Sequence, residues 1–192
     1  MSRFLLVSAF VAVAVIRPTA AATVELTTFD HAPLQSSTNQ DWCKDDGSYN
    51  DRDETFCEVR ELKESGQRSL DAEVGNGSVS VTGSSRSDVM VQARVTSRAP
   101  SAAEARDLAK QVTVSLESGR LRASGPTNPG RKSWSVSYRV QVPSSYDLTL
   151  NASNGAVNVT DVRGNINAET ANGSIRLTDL GGRVRARTSN GS

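Results

Sequence analysis

The sequence of 192 residues predicts an all-β protein, most of it a β-solenoid with one short inserted helix. Three observations lead to this prediction. Apolar and polar residues alternate in many short runs after Leu62, which is the period of a strand with one buried face. Asn-Gly pairs recur every 18 residues in the C-terminal third. Only 5% of the residues are aromatic, which indicates a thin aliphatic core.

Residues 1–22 have the layout of a secretory signal. A basic residue, Arg3, precedes an apolar run of 13 residues, and small residues follow up to Ala22. The run is shorter than the roughly 20 residues that span a bilayer, which disfavours the alternative of an N-terminal membrane anchor. We expect the signal to be cleaved, the protein to be exported, and no transmembrane segment to remain.

Residues 23–61 are expected to form a flexible, acidic N-terminal segment, followed by a β-solenoid domain over residues 62–192. Export places this segment in an oxidising compartment, where Cys43 and Cys57 are expected to form a disulfide. Such a bridge closes a loop of 15 residues, and it stabilises the fold by roughly 3 kcal/mol on the chain-entropy account. A redox-active pair is the alternative, but it would more naturally have CxxC spacing.

Four alternating runs predict strands most clearly. Their apolar faces are Leu70-Ala72-Val74, Val89-Val91-Ala93-Val95, Val112-Val114-Leu116 and Trp134-Val136-Tyr138-Val140-Val142. Turn sequences such as Ser118-Gly119 and Asn128-Pro129-Gly130 separate them. Each run is therefore expected to place one face in the core.

One helix is predicted between these strands. Ser101 can cap its first turn, and Glu104 can reach back to the capping residue. A narrow stripe of apolar residues follows at helical spacing: Ala105, Leu108, Ala109 and Val112. This stripe predicts a helix of about three turns that lies on an edge or an end of the sheet.

The 18-residue repeat carries the fold prediction. Its turns are Asn154-Gly155, Asn172-Gly173 and Asn190-Gly191, and an earlier copy starts at Leu70, which aligns with Leu148. Units this short cannot bury an apolar face alone, so stacking of consecutive units is favoured, with the asparagines in a ladder that tolerates left-handed backbone. The alternative is an antiparallel meander, because Asn-Gly between alternating residues is also a strong hairpin signal.

Several motifs resemble a known family, the exported bacterial candidate adhesins whose domain is also called toastrack-like. The shared motifs are Asp41-Trp42-Cys43, Phe56-Cys57-Glu58-Val59-Arg60-Glu61, Ala102-Ala103-Glu104-Ala105-Arg106, the run from Ser135 to Pro143, and the Asn-Gly units. The resemblance implies a right-handed, single-stranded β-helix-like domain at the periplasm or cell surface of a bacterium, with no catalytic residues to transfer. Members of this family continue with further repeats, so this chain, which stops at Ser192, is expected to be truncated at its C-terminus.

The formal net charge of +1 combines two parts of opposite sign. Residues 23–75 carry 13 acidic and five basic side chains, whereas residues 118–192 carry four acidic and ten basic ones. The overall balance disfavours a nucleic-acid partner. Four arginines are expected to line one exposed face of the basic part: Arg176, Arg183, Arg185 and Arg187. That face could meet an anionic glycan, although a solubilising role is the simpler interpretation.

An enzyme is the competing hypothesis, because parallel β-helices also house polysaccharide lyases and hydrolases. Asp161 and Asp179 would stack one repeat apart, with Arg163 and Arg176 nearby. However, both aspartates fall in a Thr-Asp element where turn geometry explains an aspartate. The single histidine, His31, further limits the familiar catalytic and metal-site constellations.

A calcium site is the other alternative that the sequence raises. The candidate ligands form an acidic loop: Asp45, Asp46, Asp51, Asp53 and Glu54. Their spacing does not place ligands and glycine as an EF-hand requires, so a solvated loop is favoured and no metal or cofactor is expected.

The sequence as a whole predicts a non-catalytic exported module of the bacterial cell envelope. Its expected role is structural or ligand-presenting, with adhesion or envelope-stress sensing as its use. The expected partner is an unknown envelope component or an anionic glycan. A glycan-active lyase or hydrolase on the same architecture is the alternative.

Overall fold

The structure is a computed structural model that describes residues 37–44, 53–127 and 130–192, with only the backbone of residues 37–40. The helices in these ranges are α1 (Ser37–Lys44) and α2 (Ala102–Gln111). The strands are β1 (Glu54–Ser65), β2 (Ser69–Asn76), β3 (Val79–Ser84), β4 (Asp88–Ala99), β5 (Thr113–Glu117), β6 (Arg120–Ser124), β7 (Ser133–Pro143), β8 (Asp147–Asn154), β9 (Val157–Thr160), β10 (Ile166–Asn172), β11 (Ile175–Thr178) and β12 (Val184–Asn190).

The strands form two mixed six-stranded sheets, so the prediction of a mostly β protein is confirmed. Sheet A has the order β1-β4-β7-β3-β9-β11, and sheet B has the order β12-β10-β8-β2-β6-β5. The inward faces carry mainly valine, leucine and alanine, as alternation on a half-buried strand requires. Neither described helix has the length or the apolar character that a membrane crossing requires.

The 18-residue repeat sets the strand register in the C-terminal part. Within sheet B, β10 pairs in parallel with β8 and with β12, so that Ile166 lies beside Leu148 and Val184. Within sheet A, β11 pairs in parallel with β9 at the same offset. The earlier copy also keeps its predicted alignment, because Leu70 of β2 pairs with Leu148 of β8. The strands on either side of the Asn154-Gly155 turn, β8 and β9, belong to different sheets.

The remaining strands pair in both directions. β1, β4 and β7 form long antiparallel pairs in sheet A, and β5 pairs antiparallel with β6 in sheet B. The β5–β6 turn is the predicted Ser118-Gly119, where φ is 51° at Ser118 and 73° at Gly119. Two positive φ values in succession are the geometry of a type I′ hairpin turn.

Regular structure begins earlier than the sequence indicates. Residues 54–61, which we expected in a flexible segment, form the first part of β1, and α1 precedes them. The alternation in β1 is hard to recognise because Glu58 and Arg60 occupy positions that pair with the buried residues Val95 and Ala93 of β4. These two charged side chains belong to the contact with α2.

The predicted helix is confirmed as α2, which packs against β1 and β4. The Ser101 side chain accepts a hydrogen bond from the Glu104 backbone N–H over 3.3 Å. Ala105, Leu108 and Ala109 are buried, as the apolar stripe predicts. The Ser97 hydroxyl of β4 donates to the Ala105 carbonyl over 2.6 Å, which ties the helix to the sheet.

The expected disulfide joins Cys43 of α1 to Cys57 of β1. Beside it, the buried Trp42 ring contacts two guanidinium groups, with Arg94 Cζ 5.1 Å and Arg139 Cζ 4.0 Å from the ring centroid. The Arg94 Nη1 also donates to the Trp42 carbonyl over 3.0 Å. A covalent bond and two cation–π contacts therefore attach α1 to sheet A.

Several predictions fall on residues outside the described ranges. They are the secretory signal in residues 1–22, the flexible segment over residues 23–36 and 45–52 with His31, the calcium ligands Asp45, Asp46 and Asp51, and the turn at Asn128-Pro129.

Candidate ligand-binding cleft

The predicted asparagine ladder is present as a chain of side-chain hydrogen bonds. Asn190 Nδ2 donates to Asn172 Oδ1 over 3.0 Å, and Asn172 Nδ2 donates to Asn154 Oδ1 over 2.9 Å. Asn154 Nδ2 in turn donates to Asn76 Oδ1 over 2.9 Å. All four side chains are exposed, and their bonds run along the stack of repeats rather than toward an open cavity.

The prediction that the asparagines tolerate left-handed backbone is wrong, because the positive φ falls on the glycines. φ is 149° at Gly155 and 155° at Gly191, and no asparagine in the described residues has a positive φ. Close approach explains the glycines as well. A Cβ at Gly155 would lie 1.7 Å from the Gly77 carbonyl oxygen, and one at Gly173 would lie 2.0 Å from the Gly155 oxygen.

The carboxylates of the enzyme hypothesis occupy turns. Asp161 and Asp179 have φ values of 59° and 51°, the left-handed region that aspartate adopts more readily than most residues. In the described part of the chain, no group of three His, Cys, Asp or Glu side chains could hold a metal ion.

The four arginines do not share one face, so that prediction is wrong. Arg185 and Arg187 are exposed on β12 of sheet B, whereas Arg176 is exposed on β11 of sheet A. The chain turns between β11 and β12, so each 18-residue unit contributes one strand to each sheet. Its arginines are therefore distributed over both sheets.

A cleft of about 420 Å³ opens beside the end of β6. Its floor is formed by three inward-facing residues, Val74 of β2 and Val136 and Tyr138 of β7. β6 pairs with β2 only at Asp71–Arg120 and Ala72–Leu121, although β2 continues to Asn76. The apolar floor lies where the two strands separate.

Trp134 forms one wall of the cleft and fixes the loop that borders it. Its Nε1 donates to the Pro126 carbonyl over 2.8 Å. The indole also lies against Gly125, where an added Cβ would be 2.9 Å from the ring. We predicted Trp134 on the buried face of its strand, and it is only partly buried because it lines this opening. The indole therefore presents an aromatic surface to whatever enters.

Tyr138 supplies a polar group at the apolar floor. Its side chain is 1% exposed, and its hydroxyl forms no hydrogen bond within the part of the chain that the structure describes. Burial raises the pKa of this phenol far above its usual range, against a smaller opposing effect of the Arg122 charge. The hydroxyl is therefore a neutral donor and acceptor that lacks a partner, an arrangement that is rare for buried polar atoms.

The rim of the cleft is charged but internally neutralised. Arg122 Nη2 lies 2.8 Å from Asp71 Oδ2, and Arg122 Nε lies 3.2 Å from Glu73 Oε2. Arg122 Nη1 also donates to the Asp71 carbonyl over 2.7 Å. These contacts hold Arg122 and Glu73 in fixed positions at the mouth, where Asn76 and Thr127 add an amide and a hydroxyl. The rim thus offers neutral and paired polar groups around an aromatic wall.

Sequence reasoning missed this cleft. Trp134 and Tyr138 share one apolar face in the alternating run, and that pattern indicates core positions only. The signal that could have distinguished them is local. Gly125-Pro126 follows the short strand β6, whose pairing with β2 ends a few residues before β2 itself ends.

No protein-family model and no curated protein matches this sequence. Among solved structures, the chain is similar to a candidate lipid-binding protein from Parabacteroides distasonis ATCC 8503, with 13% identity, a TM-score of 0.35, and coverage of 65% of this chain and 58% of that one. It is also similar to a candidate adhesin from Parabacteroides merdae ATCC 43184, with 8% identity, a TM-score of 0.33, and coverage of 64% and 53%. A candidate cell adhesion protein from Clostridium sporogenes ATCC 15579 has 10% identity, a TM-score of 0.27, and coverage of 70% and 100%.

These neighbours include proteins described as adhesins, the class that the sequence motifs resemble. The match spans little more than half the length of the first two. Structural similarities with such low TM-scores do not indicate the function of this chain. Its function is therefore inferred from its own residues.

Proposed function

We propose that this protein is a non-catalytic, exported binding module that holds a polyhydroxylated ligand, such as an envelope glycan, in the cleft beside Trp134. The observation that carries the proposal is the buried Tyr138 hydroxyl without a partner at the floor of an aromatic-walled opening. Binding sites typically combine an apolar lining with a few polar groups that fix the orientation of the ligand.

The chemistry of the lining favours a sugar ring. The indole of Trp134 can pack against the apolar face of a pyranose, because aromatic rings combine a large hydrophobic surface with defined geometry. A ligand hydroxyl that reaches Tyr138 would satisfy the phenol, and the rim groups of Glu73, Arg122 and Asn76 are placed to bond hydroxyls around the ring. A volume of about 420 Å³ accommodates one or two sugar units.

The arrangement of carboxylates favours binding over catalysis. Glycoside hydrolysis ordinarily uses two carboxyl groups on either side of the scissile bond. Among the described residues that line the cleft, Glu73 is the only carboxylate, and it is paired with Arg122. The hypothesis of a lyase or hydrolase therefore has less support than the binding module.

The proposed architecture is a right-handed β-solenoid of the toastrack-like kind, capped by the antiparallel strands β1, β4 and β7. The parallel pairing of strands 18 residues apart in both sheets supports this architecture. The intrachain disulfide supports an oxidising compartment outside the cytoplasm. Adhesion or envelope-stress sensing at a bacterial surface is the use that fits such a module.

The proposal is tested by titrating the protein with neutral oligosaccharides while recording tryptophan fluorescence. A Trp42→Phe background leaves Trp134 as the remaining tryptophan, since the chain has two. Tyr138→Phe is expected to weaken binding about tenfold, which corresponds to the loss of one hydrogen bond to a buried group. Tyr146→Phe is the matched control, because its hydroxyl is also buried and without a partner in the described residues but does not line the cleft. The proposal fails if no oligosaccharide changes the fluorescence, or if both variants bind like the wild type.

A further inference from the structure

A second cavity of about 250 Å³ is also lined by Trp134 and lies on the outer face of sheet A. Arg94, Arg98 and three serine or threonine side chains line it, together with Asn76 and Trp134. The register explains this grouping, because Arg98 pairs with Ser133 across β4 and β7, and paired residues of neighbouring strands project to the same side.

The lining of this second cavity is cationic. Among the residues that the structure describes, it contains two guanidinium groups and no carboxylate. Arg98 forms no ion pair or side-chain hydrogen bond within the described ranges. Arg94 has no acidic partner there: its Nη1 donates to the Trp42 carbonyl, and its Nε is buried without a hydrogen-bond partner. Arg122 at the first cleft differs, because Asp71 and Glu73 neutralise it. An anion would thus find unneutralised donors in the second cavity and not in the first.

The two cavities share two lining residues. Asn76 and Trp134 line both of them. The Oδ1 of Asn76 accepts from Asn154, so the Asn76 amide nitrogen is the part of the side chain left for a ligand. The two cavities are therefore neighbours at Trp134, close enough for one extended ligand to reach both.

We infer that the ligand is an acidic glycan, whose neutral ring occupies the cleft at Tyr138 while an attached anionic group binds Arg94 and Arg98. This inference rests on the proposed function and adds the class of ligand. Planar guanidinium groups match carboxylate and phosphate oxygens with paired hydrogen bonds, which adds specificity as well as affinity. The anionic group is either the carboxylate of a uronic acid or a phosphate ester, two sources of the same chemistry.

The experiment compares ligands that differ only in charge. The full chain with its disulfide intact is titrated with trigalacturonic acid and with its methyl ester, and in a second arm with maltotriose 6-phosphate and with maltotriose. We expect the acidic form in at least one arm to bind about tenfold more tightly than its neutral partner, as one charge-assisted hydrogen-bonded contact provides. The arm that shows this preference identifies the source of the anion.

Arg98→Gln is the decisive variant, and Arg176→Gln is its control. Arg98→Gln is expected to bring the ratio of the two affinities close to one, because it removes a cation that binds the anionic group. Arg176 lies on the same sheet but outside both cavities, so Arg176→Gln is expected to keep the wild-type ratio. Raising the salt concentration should weaken binding of the acidic ligand only.

Several outcomes would overturn the inference, and they differ from a failure of the proposed function. Equal affinities for acidic and neutral ligands in both arms would overturn the inference while the binding module stands. An equal effect of Arg176→Gln and Arg98→Gln would also overturn it, because binding would then reflect diffuse positive charge. Competition by oligothymidylate that depends on Arg98 would contradict the choice of a glycan. If neither neutral nor acidic glycan binds, the proposed function itself fails.

Discussion

The side-chain amide of Asn172 donates to Oδ1 of Asn154 over 2.9 Å, which joins two residues that are 18 positions apart. The same bond is repeated between Asn190 and Asn172 and between Asn154 and Asn76. Each asparagine in the middle of this ladder both donates and accepts. The ladder therefore couples the repeats through side chains, in addition to the backbone pairing of the strands.

Asn172→Ala is expected to lower the free energy of unfolding by about 1–2 kcal/mol, because it removes one donor and one acceptor from the ladder. Urea unfolding at a constant m-value measures the change. Asn151→Ala is the matched control, since Asn151 is on the same strand as Asn154 and forms no side-chain hydrogen bond with a described residue. Equal losses for the two variants would show that the ladder contributes nothing specific.

Gly155→Ala is expected to destabilise the protein strongly, although it adds only one methyl group. The added Cβ would lie 1.7 Å from the Gly77 carbonyl oxygen, at a φ of 149°. Strained backbone and overpacking each cost about 1–3 kcal/mol, so we expect a loss of roughly 3 kcal/mol or more. Gly75→Ala is the control, because a Cβ at Gly75 would have no other atom within 4 Å and the φ of this residue is not positive. Thermal unfolding of the two variants side by side decides the matter.

The repeat is the part of the fold that the sequence predicts best. Its spacing determines which residues pair, and Val157 lies beside Ile175 as the alignment requires. The backbone angles within each turn could not be read from composition. Asparagine and glycine both adopt left-handed backbone, and only the contact of Gly155 with Gly77 shows that glycine must occupy that position.

Strand β1 is not recognisable in the sequence because its inward-facing charged side chains bind the C-terminal end of α2. Arg60 Nη2 donates to the Ala109 carbonyl over 2.8 Å, and Arg60 Nη1 donates to the Val112 carbonyl. Glu58 accepts from Arg60 Nε over 2.8 Å. Charged residues at core-facing positions break the alternating pattern. Their contacts form only when α2 packs on β1. Sequence periodicity alone therefore placed this strand outside the fold.

Arg60→Ala is expected to destabilise the protein by about 2 kcal/mol, because two carbonyls at the end of α2 lose a charged donor. Arg60→Lys should recover only part of that loss, since a single ammonium group cannot reproduce the forked geometry. Hydrogen exchange of the α2 backbone amides measures the effect locally, and urea unfolding measures it globally. Full recovery by lysine would show that charge alone matters.

Removal of the disulfide in a Cys43→Ser, Cys57→Ser double variant is expected to lower stability by roughly 3 kcal/mol on the chain-entropy account. The cation–π contacts of Trp42 with Arg94 and Arg139 should keep α1 on sheet A. In a Trp134→Phe background, which leaves Trp42 as the remaining tryptophan, near-ultraviolet circular dichroism should therefore retain the tryptophan signal. Loss of that signal at a temperature where the variant stays folded would mean that the disulfide alone attaches α1.

The cleft could not be predicted because its floor residues follow the alternating apolar pattern that also marks core positions. Tyr138 is buried among apolar neighbours, as the alternation predicts, and its unusual feature is the absence of a partner for one oxygen atom among the described residues. A sequence pattern carries no information on whether a buried hydroxyl finds a partner. That depends on where β6 separates from β2, after the Ala72–Leu121 pair, which is a property of packing.

Tyr138→Phe is expected to stabilise the protein by about 1 kcal/mol while it weakens ligand binding. A buried hydroxyl without a hydrogen bond costs about 1–3 kcal/mol, and phenylalanine fills the same space without it. Tyr146→Phe should also stabilise the protein, because that hydroxyl is equally without a partner in the described residues, but it should leave binding intact. Urea unfolding at pH 7 measures both changes.

The same variant changes the alkaline stability in a direction that the raised pKa of Tyr138 fixes. Below about pH 10, the usual tyrosine pKa, the phenol is protonated in both the folded and the unfolded chain, and its ionisation does not affect stability. Above that pH the unfolded chain loses the proton while the buried phenol keeps it, so stability falls as the pH rises. Tyr138→Phe is expected to remove this part of the loss, which unfolding midpoints between about pH 8 and 11 would measure.

Burial also raises the pKa of Tyr146, so the Tyr138→Phe, Tyr146→Phe double variant should show a flatter dependence of stability on pH than either single variant. An unchanged alkaline slope in Tyr138→Phe would mean that the phenol is exposed to solvent in the folded protein, and it would remove the basis for a dry, preformed ligand site.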